Sequence, residues 1–223
     1  PRPMSASDAH LSVVPRPRRT QAERRDVSER LLVEATLDVV AAQGVSAATF
    51  DAIGRAAGYS RGLATQRFGS KQGLIDAVIA YLHARRDDLM DAAHVAEMPP
   101  LEAVLYYADS HFRLLDQDVS GRAYFMLMAG AVADASALQA AFAASHDRVR
   151  FWLAERVRAG QAAGQIRGGL EPDGVALMVG SLLLGVSIQW LADPATPLGL
   201  IRRTSLGLLR DSLSAEPATE SPP

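Results

Sequence analysis

The 223-residue sequence contains no cysteine. That excludes disulfides and thiolate-held metal, and it is compatible with a reducing cytoplasm. No segment alternates apolar and polar residues at the period of a strand, and no internal repeat is present. The phosphate-cradling G-x-x-x-x-G-K-[ST] and the zinc-binding H-E-x-x-H are both absent. No catalytic residue, cofactor or metal is therefore expected. His83 and Asp87 stand four apart, but no third ligand has a convincing spacing, so an exposed helix face is the expectation there. The first twenty residues lack the long apolar stretch of a signal peptide, so a cytoplasmic location is expected.

Net charge is small, −2, but unevenly spread. Residues 15–71 carry ten basic and six acidic side chains, whereas residues 72–223 carry twelve basic and eighteen acidic. A basic N-terminal quarter on an acidic remainder suits a chain that meets a polyanion at one end. Within that quarter, Arg16, Pro17, Arg18 and Arg19 form either an arm for a minor groove or a solvated tail.

The run of residues 49–71, TFDAIGRAAGYSRGLATQRFGSK, is the most informative in the chain. Thr49 can cap a short helix with its hydroxyl, and Asp51 favours the first turn. Ile53, Ala56 and Ala57 give that helix an apolar face. Gly58 suits the left-handed residue that ends a helix, and Tyr59 follows as connector. Ser60 is then an N-cap for a second helix over residues 61–67, with Ala64 and Phe68 facing inward. Arg61, Gly62, Leu63, Thr65, Gln66 and Arg67 are left for solvent or a ligand. Gly69 ends the helix, Ser70 caps the next, and Lys71 opposes that helix's dipole unless a phosphate lies nearby. Two short helices joined by a glycine turn place one helix in the major groove of DNA. Arginine reads guanine O6 and N7, glutamine reads adenine N6 and N7, and threonine serves base edge or phosphate. The bland alternative is a solvated helix in a bundle. Gly58 to Gly62 also fits the hydrolase pattern G-x-S-x-G, which needs a strand before the serine; the preceding AIGRAA is helical in character.

The run resembles the DNA-binding domain of TetR-type transcriptional regulators, whose pattern is roughly T-x-x-x-I-A-x-x-A-G-V-S-x-G-x-x-Y-x-x-F-x-x-K-x-x-L. Thr49, Ile53, Ala57, Gly58, Ser60, Gly62, Phe68, Lys71 and Leu74 match over a stretch of residues 25–79. Gly54 stands where the family usually has alanine, Tyr59 where it has valine, and Thr65 where it has the tyrosine that commonly touches a phosphate. Leu63 and Ala64 reverse the usual small-then-large order. The resemblance implies a ligand-responsive repressor that binds a palindromic double-stranded DNA operator as a homodimer. Arg61, Leu63, Thr65, Gln66 and Arg67 would make base or phosphate contacts, with Thr49, Ser60, Gly62 and Lys71 positioning the backbone or phosphates. It places the protein on the nucleoid in the cytoplasm. The departures at Gly54 and Thr65 leave a rival reading, a ligand-binding or scaffold protein with a degenerate DNA-binding domain.

Helical periodicity divides the whole chain, giving an all-α fold. A flexible arm is expected over residues 1–19, a helix-turn-helix domain over 20–70, a helical effector-binding and dimerisation domain over 71–213, and a disordered tail over 214–223. A first helix is expected at 22–43 with an apolar stripe of Leu32, Ala35, Val39 and Ala42. A long one at 71–93 can act as a lever. Others are expected at 101–116, 121–133, 135–163, 173–192 and 198–212. Residues 174–192 hold no charge, at the edge of a membrane span. Acidic flanks, Gln189 and many small residues favour instead a packed helix at a subunit interface. By the resemblance, the last two helices pair with their copies, here through Leu177, Ser181, Leu184, Gly185, Ile188, Leu206 and Leu209. Aromatic and methionine side chains over residues 101–152 are ordinary core or the lining of a pocket for an unknown small-molecule effector. Tyr106, His111, Phe112, Phe125, Met126, Trp152 and Gln189 are the candidates, with Arg113 and His146 as further polar anchors.

Overall fold

A computed structural model of the chain describes residues 20–134 and 138–215. Among these, nine α-helices and no strand are found: α1 Gln21–Gln43, α2 Phe50–Ala56, α3 Arg61–Phe68, α4 Lys71–Ala92, α5 Pro100–Gln117, α6 Val119–Ala133, α7 Gln139–Ala162, α8 Pro172–Ala192 and α9 Leu198–Leu213. The arm expected over residues 1–19, residues 135–137 at the start of the helix expected over 135–163, and the tail from residue 216 lie outside the described residues.

Local chemistry sets most of the boundaries. Thr20 and Glu23 form a reciprocal capping box at the start of α1, and Gly44 ends it with φ 88°. Pro99 and Pro100 open α5, where the first helical position needs no amide hydrogen. Glu171 accepts from the amides of Asp173 and Gly174 at the start of α8, and Pro172 again stands at the first turn.

One hydrophobic core runs through the molecule, from Leu32, Ile53, Ala64 and Leu74 at the N-terminal end to Phe112, Leu153, Val179 and Leu213. The first three helices and the start of α4 form one end. α1 also packs along α6, and α5 to α9 build the larger end, with α7 on α8 and α5 on α9. Helix α4 belongs to both ends. Its first half buries Leu74, Ile75 and Val78, and its second half leads to His83 among the later helices.

Several expectations shift. Ala42 and Ala56 are exposed, so the apolar stripes of α1 and α2 are narrower than their composition suggests. Ser214 and Ala215 are not part of a free tail. Ser214 bridges Ile166, the amide of Ala215 donates to the Gln165 carbonyl, and Arg167 donates to the carbonyls of Ser214 and Asp211. The guanidinium thereby satisfies carbonyls that the end of α9 leaves open. Leu209 is buried within the chain itself, and Leu206 is half-buried. Helix α9 uses that face against α5, tied by Arg210 to Glu102 and by Arg202 to Asp109. Its outward apolar residues are Leu200 and Leu208.

Helix α8 is long and apolar enough to cross a membrane by length and composition. In the fold it buries Val175, Ala176, Val179, Leu183, Val186 and Trp190 against its neighbours and leaves Leu177, Met178 and Ile188 exposed. Ser181 is exposed with them, while Leu184 and Gly185 are half-buried.

Candidate nucleic-acid interface and cavity

Hydroxyl and glycine signals shape the segment around α3. Thr49 Oγ1 accepts from the Ala52 amide at 3.2 Å. Gly58 takes φ 74°, and the chain folds back so tightly that the Tyr59 amide donates to the Gly54 carbonyl at 2.7 Å. A Cβ on Gly54 would lie 3.0 Å from the Tyr59 oxygen, so the glycine lets the turn close onto α2. Ser60 Oγ accepts from the Leu63 amide at 3.2 Å, and Ser70 Oγ from the Gly73 amide at 3.1 Å. Thr49 and Ser60 thus spend their hydroxyls as caps and act on α2 and α3 as positioning groups. Ser60 follows a helix and a turn, not a strand, so the G-x-S-x-G match has none of the geometry of a nucleophile elbow.

Helix α3 buries Ala64 against α2 and α4 and tucks Phe68 and Leu63 half-way in. Arg61, Gly62, Thr65 and Gln66 stand on the exposed face. Arg67 does not join them. It is half-buried, and its Nε donates to Ser28 Oγ of α1 at 3.2 Å. One turn before Ser28, Arg24 and Arg25 are exposed, and neither is in an ion pair among the described residues. Lys71, the only lysine in the chain, is exposed in the first turn of α4. Among the described residues, the exposed cations Arg61 on α3 and Arg24, Arg25 and Lys71 on the helices beside it have no carboxylate partner, whereas Arg55 is held by Asp51 at 2.8 Å. Arg24 and Arg25 escaped the sequence reading. The capping box at Thr20 was the available signal, since it fixes where α1 begins and so which arginines its first turns present.

The larger end encloses a cavity of about 320 Å³ bounded by α4 to α8, at the small end of the ~300–1,000 Å³ range of ligand sites. His111, Phe125 and His146 border it, as do His83, Arg86, Tyr107 and Tyr124, together with Leu177, Ser181 and Leu184 of α8. The other expected lining residues do not. Phe112 is one residue on from His111, about 100° round the helix, and sits in the core. Tyr106 borders a shallower groove between α5 and α9. Trp152 is half-buried and packs at a tilt of 40° against Tyr107, with ring centroids 5.4 Å apart. Met126 is half-buried outside the cavity, Gln189 is exposed, and Arg113 is exposed and paired with Asp109 at 2.7 Å.

His83 is the clearest departure from expectation. It is buried rather than on an exposed face. Arg86 donates to its Nδ1 at 2.7 Å. An arginine can only donate, so Nδ1 must accept, and the ring is the tautomer that donates from Nε2 to Ser145 Oγ at 2.8 Å. Burial first, and then the positive charge of Arg86, lower its pKa to about 4. His111, donating from Nε2 to Ser187 Oγ at 2.9 Å, is lowered to about 4 by burial. Both rings are neutral in the fold and gain protons on unfolding once the pH drops below ~6.5. Their contribution to stability is whole above that value and is lost as pH falls from about 6.5 to 4. Melting temperature is therefore expected to drop across that window, and a His83→Gln, His111→Gln double variant to show a flatter profile. An equal slope in the variant would assign the acid sensitivity to other groups, His146, whose pKa burial also lowers, or carboxylates.

Comparison with known proteins follows the same division into two ends. The family model described as bacterial regulatory proteins, tetR family, matches residues 32–78. The model described as BetI-type transcriptional repressor, C-terminal, matches residues 112–213. The HTH-type transcriptional regulator SrpR of Pseudomonas putida is 43% identical over 63 residues, 28% of this chain and 29% of that protein. The matches to curated relatives span less than half of those proteins' lengths. Among solved structures, a TetR-family transcriptional regulator from Rhodococcus sp. has a TM-score of 0.74 at 21% identity, covering 85% of this chain and 100% of that one. The complex of triclosan with SmeT, a repressor from Stenotrophomonas maltophilia, has a TM-score of 0.71 at 21% identity, covering 88% of this chain and 98% of that one. At such identities the likeness is one of fold.

Proposed function

The chain belongs to the TetR family of bacterial transcriptional regulators, and we propose on that premise that it is a ligand-responsive repressor binding a palindromic DNA operator as a homodimer. The observation that carries the proposal is the exposed face of α3. Arg61, Gly62, Thr65 and Gln66 stand free on a capped helix, among cations that have no carboxylate partner. Those side chains match the donors and acceptors of major-groove edges. Arg24, Arg25 and Lys71 lie where phosphates flank an inserted helix. Gly62 adds an approach free of side chain, with only Ser60 Oγ within 4 Å of where a Cβ would stand. Thr65 keeps a hydroxyl but reaches less far than a tyrosine, so the phosphate grip rests more on the cations.

The exposed apolar residues Leu177, Met178 and Ile188 of α8 and Leu200 and Leu208 of α9 support pairing with a second copy. A two-fold pair sets two α3 helices at one separation, which selects operators with matching half-sites. Helix α4 links the two activities. Lys71 begins it beside α3, and Leu82, His83 and Arg86, about 16–22 Å further along at ~1.5 Å per residue, border the cavity. A ligand that prefers the cavity shape of the non-binding arrangement shifts the dimer away from DNA; equal affinity for both arrangements would shift nothing.

Affinity for an operator is expected to fall steeply with salt, with log K decreasing by about 0.9 per log unit of salt for each phosphate neutralised. An anisotropy titration at several salt concentrations measures the slope. A flat plot would exclude cations at the α3 face as phosphate contacts.

A further inference from the structure

The cavity wall formed by α4 has a charge that the protein itself answers only with an exposed carboxylate. Three arginines border the space. Arg85 is held by Asp118 at 2.8 Å, and Arg150 by Asp173 at 2.8 Å. Arg86 is matched less closely. Its side chain is 22% exposed, its ion pair is a longer one of 3.5 Å to the largely exposed Asp87, and its other partners are neutral, the His83 ring and the Tyr107 hydroxyl. A guanidinium has five donors, and His83, Tyr107 and Asp87 do not use all of them. Beyond His83 the polar line continues through Ser145 to the Tyr124 hydroxyl at 3.0 Å. Ser145 already accepts from His83, so its own proton can go to Tyr124, leaving the phenol proton free to donate. Most of the remaining boundary is apolar, with Leu82 and Leu89 on α4 itself and Phe125 and Leu183 on α6 and α8. Cations would meet Arg86 itself, already 6.0 Å above the Tyr107 ring, in place of an open aromatic face.

We infer that the cavity takes an apolar organic acid, its body among the leucine and phenylalanine side chains and its single carboxylate on the guanidinium of Arg86 and the hydroxyl of Tyr124. The inference rests on reading the cavity as the effector site. A carboxylate there replaces a neutral acceptor of Arg86 with a charged one, and charge-assisted pairs are the stronger. It draws Arg86 away from Nδ1 of His83, and so bears directly on the link from α4 through His83 to Ser145 of α7. The acid group, not the apolar body, would then carry the signal to the helix that begins beside α3.

The test uses three probes of one shape: naphthalene-2-carboxylate, its methyl ester and naphthalen-2-ylmethylamine, each titrated calorimetrically into the full-length protein at neutral pH. The carboxylate is expected to bind about tenfold to a hundredfold more tightly than the ester, as a hydrogen bond to a charged group implies, and the amine not at all. Arg86→Gln should erase the difference between carboxylate and ester while leaving ester affinity and melting temperature nearly unchanged; Arg86→Lys should keep part of it. Equal or better binding of the ester or amine, or a preference that survives Arg86→Gln, would overturn the acid assignment and leave the cavity as an effector site. Binding of none of the three would overturn both, with operator binding still to be judged by its own salt dependence.

Discussion

Replacing Gly73 with alanine is expected to disrupt the DNA-binding end more than any other change of one methyl group. Gly73 lies in the first turn of α4, and a Cβ there would stand 2.2 Å from the carbonyl oxygen of Phe68 and 3.3 Å from its carbon. Those atoms are backbone, at the last residue of α3, and the same carbonyl accepts from the Ser70 amide at 2.7 Å. No rotamer change can relieve the contact, so α3 must move relative to α4. Alanine inside a helix would otherwise add up to about 1 kcal/mol over glycine. Overpacking of this kind costs about 1–3 kcal/mol, and here the clash dominates because neither side can yield cheaply. Thermal or urea unfolding should show the loss, and DNA affinity should fall with it. Gly62→Ala provides the contrast. Its Cβ meets only Ser60 Oγ at 3.7 Å, so stability should hold or rise while DNA affinity falls through the lost close approach. A Gly73→Ala protein as stable as the parent would show that the α3–α4 junction is looser than described.

Arg61→Ala is expected to separate binding from folding. Arg61 is exposed at the first position of α3, directly after the Ser60 cap. Its removal leaves the cap, the buried Ala64 and the Arg67–Ser28 bond untouched. It also takes a cation away from a helix N-terminus, where the dipole disfavours it. Stability should therefore stay within about 0.5 kcal/mol of the parent. Operator affinity should fall by about 1–3 kcal/mol for each subunit, with relaxed discrimination at the base pair contacted if the arginine reads a base. A uniform loss across sequences with a shallower salt slope would place Arg61 on a phosphate. Unchanged affinity would remove it from the interface.

The parts legible from sequence were those governed by neighbours in the chain. Thr49, Ser60 and Ser70 cap the helices that follow them, and Gly58 and Gly69 take the positive φ their positions demand. The helices of the larger end fall within a few residues of where periodicity puts them. Legibility ended where a side chain chooses a partner far along the chain. Arg67 sits on the solvent side of α3 by spacing, yet Ser28, 39 residues earlier, draws it in. His83 looks like part of an exposed face until Ser145, 62 residues later, closes over it. Apolar content marks residues 101–152 as core or cavity without saying which. That division depends on the rotation of α5, which puts His111 on the cavity and its neighbour Phe112 in the core.

Selection of genomic DNA fragments by the purified protein, with Arg61→Ala carried in parallel, shows whether the exposed face of α3 reads DNA. Enrichment of a small set of fragments sharing a two-fold symmetric site, lost with Arg61→Ala and released at high salt, is the expected result. Recovery indistinguishable from the input pool and from the variant would contradict it, and the exposed face of α3 would then be only a solvated surface.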